Sequence, residues 1–81
     1  MQADLRDAIA KALSGDWDGA HAIVQRHETA PLACWIHAVL HKIEGDSSNS
    51  RYWYARTNGR RYEDYEDPGL ELRDIAATLS A

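Results

Sequence analysis

Residues 35–46, Trp35-Ile36-His37-Ala38-Val39-Leu40-His41-Lys42-Ile43-Glu44-Gly45-Asp46, decide how this chain is read. With Leu32 ahead of them, Trp35, Ile36, Val39, Leu40 and Ile43 recur at spacings of three and four, the apolar stripe of an amphipathic helix. Pro31 suits the opening turn and Gly45 the position past the end, so the helix is placed at Pro31 to Glu44. The Gly45-Asp46 pair then reads as one helix stopping and the next starting. Thirty residues earlier the same punctuation stands at Gly15-Asp16, with Leu5 for Trp35, Ala8 for Ala38, Ile9 for Val39, Leu13 for Ile43 and Ala20 for Ser50. The chain therefore contains a repeat whose unit is two helices around a Gly-Asp turn. A small residue stands seven places before each glycine and another five after it. These let the paired helices approach, because a larger side chain at either point would push the backbones apart.

Outward from this centre the periodicity stays helical. Leu5, Ala8, Ile9, Ala12 and Leu13 give a first helix over Ala3 to Leu13, and Asp16 caps a second from Trp17 to His27 with Ala20, Ile23, Val24 and His27 on one side. Ser48-Asn49 is a cap signal for a fourth helix through Arg51-Tyr52-Trp53-Tyr54-Ala55-Arg56, which Asn58-Gly59 closes. Residues 58–66 are mostly polar and read as loop. Asp67-Pro68 opens a fifth helix over 67–80 with the stripe Leu72, Ile75, Ala76 and Leu79. No segment alternates as a strand would. The expectation is one all-α domain: repeat units at 3–27 and 31–57, a loop at 58–66 and a C-terminal capping helix.

On Ala8, Gly15 and Ala20 in the first unit, and Ala38, Gly45, Ser50 and Tyr54 in the second, the chain resembles the tetratricopeptide repeat, with a period of 30 residues in place of about 34. The resemblance covers residues 3–57 and implies helical hairpins that present a surface to a peptide or protein partner. Residues 17–21, 35–46 and 51–54 also look like a group of short bacterial proteins to which no activity is attached. About three repeats are needed for such an array to bury its own core. With two, the fifth helix is the natural cover, and pairing of two copies through an open helix face is the other.

Composition narrows the function. At 81 residues the chain is a single domain near the lower limit for one hydrophobic core. Nothing approaches the ~20 apolar residues of a membrane span, and no basic start followed by an apolar run marks a secretion signal. A cytoplasmic protein is expected. The single cysteine, Cys34, excludes an internal disulfide and a cysteine-rich zinc site. A net charge of -4 argues against a nucleic-acid partner. The five glycines are scattered singly, which excludes a phosphate loop, and Cys34 has no base and orienter at a diagnostic spacing.

Two constellations carry chemistry. His37, His41 and Glu44 fall at i, i+4 and i+7 on one flank of the third helix, where two imidazoles and a carboxylate can hold zinc or another transition metal, with His21 as a further ligand from helix two. Without a metal, the same side chains would hydrogen-bond helix to helix, His21 bridging to helix three. His27 reads as a cation near a helix end. The second constellation is aromatic. Trp17 and Trp35 fall on inner stripes, whereas Tyr52, Trp53 and Tyr54 are consecutive and cannot all face inward. Beside Arg51 and Arg56 they form a candidate stacking platform. The block Arg51, Arg56, Arg60, Arg61 is followed by Glu63, Asp64, Glu66 and Asp67, which suggests self-pairing. The expectation is thus a small interaction module without catalytic activity or cofactor, using His21, His37, His41, Arg51, Trp53 and Arg56. The alternative is a metal-binding or metal-dependent enzyme domain on His37, His41 and Glu44.

Overall fold

The computed structural model describes residues 1–80. It is all-α, with α1 (Gln2–Leu13), α2 (Trp17–Val24), α3 (Pro31–Ile43), α4 (Ser47–Tyr54) and α5 (Pro68–Ser80), and single 3-10 turns at Gln25–His27 and Tyr62–Asp64. No strand occurs among the described residues, and no helix among them is long and apolar enough to cross a membrane.

The two Gly-Asp turns are built alike. Gly15 and Gly45 take φ values of +90° and +84°, the left-handed conformation that glycine adopts without a side-chain penalty. In the first turn the Gly15 N–H donates to Ala12 O and that of Asp16 to Lys11 O. In the second, Gly45 donates to Lys42 O and Asp46 to His41 O. This crossed pair of bonds satisfies carbonyls that a helix end leaves open. Each aspartate then starts the next helix, Asp16 accepting from the Gly19 N–H and Asp46 from that of Asn49. The cap of α4 is therefore Asp46 and not the Ser48-Asn49 pair: the repeat outranks the local signal, since Asp46 has already turned the chain when Ser48 is reached. α4 also stops at Tyr54, short of Arg56, and α2 tightens into a 3-10 turn after Val24.

α3 lies at the centre. It packs against α1, α2, α4 and α5, and nine of its residues from Ala33 to His41 are buried. The small repeat positions work as spacers: Ala8, Ala20, Ala38 and Ser50 have no exposed surface. α5 covers the first helices of both units, α1 and α3, burying Leu72, Ile75 and Leu79. Its N-terminus is capped by Asp67, whose Oδ1 accepts from the Gly69 N–H at 2.9 Å.

Several apolar expectations change. Leu13 and Ile43 are 42% and 44% exposed, because both close their helices beside the glycine turn, past the edge of the core. Trp17 is half-buried, its Nε1 donating to the Leu40 carbonyl at 2.6 Å. His27 meets a side chain, its Nε2 lying 3.1 Å from Asp4 Oδ2. Within 58–66, Tyr62 and Tyr65 pack onto the core instead of standing in solvent. The charged blocks pair in part, Arg51 with Glu63 and Arg61 with Asp64, while Arg60 lies over the Trp35 ring.

One polar knot lies inside. Glu71 of α5 has no exposed surface, and its carboxylate accepts from Trp35 Nε1 at 2.8 Å, Tyr54 Oη at 2.6 Å and Lys42 Nζ at 2.9 Å. Lys42 also donates to the carbonyls of Tyr62 and Tyr65. Burial and the Glu71 carboxylate push the Tyr54 hydroxyl well above its ordinary range, so it remains a donor. The knot ties α3, α4 and α5 to the 62–65 turn.

Candidate metal centre

His37 and His41 stand one turn apart on α3 and project from the flank that faces α2. On α2, His21 follows Ala20, the buried spacer that packs against α1, and its imidazole reaches across to His37 of α3. His21 Nε2 and His37 Nε2 lie 3.1 Å apart. One ring nitrogen from each of His21, His37 and His41 falls within 4.8 Å of the other two. The His37 and His41 rings stack at 5.0 Å, and His21 meets both edge-on.

Two indoles flank the cluster. Trp53 of α4 lies flat on His37, with centroids 3.9 Å apart and planes 14° from parallel. Trp17 stacks on His21 at 4.6 Å and meets His41 edge-on at 5.7 Å. His37 and His41 are buried, while His21 is partly open to solvent.

Glu44 takes a role different from the one its spacing suggests. Its carboxylate does not join His37 but lies 2.6 Å from His41 Nδ1. A carboxylate on one ring nitrogen fixes the tautomer and turns the lone pair of the other outward, the arrangement commonly found behind a metal-bound histidine. Glu44 and Asp46 also fall near His41 as a second acidic group, but the Asp46 carboxylate already caps α4.

Two of the three imidazoles, His37 and His21, are held toward the neutral form. Burial, and next the neighbouring His21 and His41, push His37 down to about 3. Burial and then His41 also lower His21, against the opposing pull of Glu44, Asp18 and Glu28. Neutral imidazoles have lone pairs to give. His37 Nδ1 is buried without a hydrogen-bond partner, the one such side-chain nitrogen or oxygen among the described residues. Two neutral imidazoles meeting through Nε2 must share one proton between them, and neither tautomer of His37 gives its Nδ1 a partner.

Other candidates lie elsewhere. Arg56 sits over Tyr52 at 4.1 Å and 5.9 Å from the Trp53 centroid, so it belongs to the outer side of the aromatic group. Tyr52 is 50% exposed, whereas Trp53 and Tyr54 face inward. Arg51 is apart from the histidines. With Lys42, Ile43, Tyr62, Glu63 and Tyr65 it lines an open cleft of about 680 Å³. Cys34 donates to the Glu28 carbonyl, and burial raises its thiol, so it stays outside the cluster. Sequence reasoning missed Trp17 as the stacking partner of His21, although its place four residues earlier on the same helix was a usable signal. It also missed Glu71. Compared with known proteins, the chain matches no family model, and no curated protein or solved structure is significantly similar to it.

Proposed function

We propose that this domain binds a transition-metal ion, zinc foremost, through His21, His37 and His41. The observation that carries the reading is the convergence of three imidazoles from two helices, two of them with Nε2 atoms 3.1 Å apart. Zinc–nitrogen bonds of about 2.0–2.1 Å in a tetrahedron place neighbouring ligand nitrogens about 3.3 Å apart. The His21–His37 spacing is thus already close to that of a loaded site, and Glu44 would orient His41 from behind. An ion would also bridge α2 to α3 and add stability to a small core.

The test is titration of zinc into chelator-stripped protein, followed by calorimetry and native mass spectrometry. One ion per chain is expected, with a raised melting temperature. The partly exposed ligand is the safest to remove: His21→Ala should keep its helical content and lose at least tenfold in affinity. Glu44→Gln should weaken binding about 10- to 100-fold. Absence of stoichiometric binding by the folded wild type would sink the reading.

An interaction module remains the second reading. It is supported by the tetratricopeptide resemblance and by the open cleft beside Arg51, where Ile43 exposes apolar surface to a protein or peptide.

A further inference from the structure

We infer that a metal held on His21, His37 and His41 keeps a fourth coordination position open to solvent and takes there a water molecule or a small monoanion. This rests on the metal reading above and specifies what that centre binds. Structural zinc sites are closed by four protein ligands, whereas sites with three protein ligands leave a position for an exogenous one. Here the count stops at three. Among the described residues no carboxylate or thiolate joins the three imidazoles within the same radius.

The nearby donors are engaged. Glu44 is held on His41 Nδ1, the Asp46 carboxylate caps α4 through Asn49, and Cys34 is turned to the Glu28 carbonyl. Direction follows from burial. His37 and His41 are 2% and 5% exposed, and Trp53 lies flat on His37, so that side is closed. His21 and Trp17 are both partly open, so the fourth position faces their side. Charge selects the ligand. Imidazole ligands bring no negative charge to a divalent ion, and an anion at the open position gains more than a neutral molecule does.

The experiment is visible absorption of the cobalt(II)-loaded protein, titrated with azide. Cobalt on three histidines and one water should give the strong visible bands of low-coordinate cobalt. Azide should shift them saturably at one equivalent per cobalt. Cobalt bound with a spectrum that azide leaves unchanged would overturn the open position. A wild type that ignores azide while Glu44→Gln responds would overturn it too, by showing that Glu44 occupies the site. Failure to bind cobalt at all would reject the metal reading itself, an outcome separate from these.

Discussion

Lys42 Nζ lies 2.9 Å from Glu71 Oε1, and their side chains are 8% and 0% exposed. An ion pair this deep stabilises only where its remaining polar capacity is met. Here it is met: the carboxylate takes the Trp35 and Tyr54 donors, and the ammonium reaches two backbone carbonyls and the faces of Tyr54 and Tyr62. Lys42→Met should therefore cost about 3–5 kcal/mol, because it leaves a buried carboxylate without a counter-charge. Urea unfolding measures it. A loss below about 1 kcal/mol, the value of an exposed pair, would mean that water reaches Glu71.

The metal-free protein should lose stability as the pH falls below about 6.5. The unfolded His37 binds its proton near the ordinary value of 6.5, the folded one only at about 3. Between those values the unfolded state holds more protons, so stability is fully present above the upper limit and declines toward the lower one. His21, also lowered, acts in the same direction. Asp4 and Glu63 are carboxylates lowered by their partners, and their contribution is lost further into acid. Unfolding midpoints from about pH 7 to about pH 5 isolate the histidine contribution. His37→Phe should flatten the dependence, and an equally steep curve in that variant would exclude His37 as its source.

The fold was legible because one local solution occurs twice. Leu5, Ala8 and Gly15, read against Trp35, Ala38 and Gly45, were enough to give the hairpins, since spacer size and turn chemistry act over a few residues. The Ser48-Asn49 cap was misread because any serine or asparagine before a helix carries the same signal, and only the comparison with Asp16 singles out Asp46. The site was half legible. Helical spacing placed His37 and His41 on one flank, as that depends on α3 alone. Whether Glu44 met His37 or His41 Nδ1 is a matter of rotamers that periodicity does not contain. Glu71 lay hidden for a different reason: an acid on a helix is normally solvated, and its three donors come from Trp35, Lys42 and Tyr54, on two other helices.

The two hairpins differ at one informative point. Ser50 Oγ donates to the Ala38 carbonyl at 2.6 Å, while Ala20, its counterpart in the first unit, has only a methyl group at the same register against α1. Ser50→Ala removes a buried hydrogen bond without leaving a large void, so a cost of about 0.5–1.5 kcal/mol is expected. The reverse change tests the equivalence of the units. If the first hairpin has the spacing of the second, Ala20→Ser can donate to the Ala8 carbonyl as Ser50 does to Ala38, and its cost should stay below about 1 kcal/mol. Leucine at either position should cost at least about 1–3 kcal/mol, because neither interface has room for the added volume. These four variants are compared by urea unfolding against wild type. An Ala20→Ser loss as large as that of Ala20→Leu would show that α1 and α2 pack more closely than α3 and α4, and that the repeat is shared in its turns but not in its helix spacing.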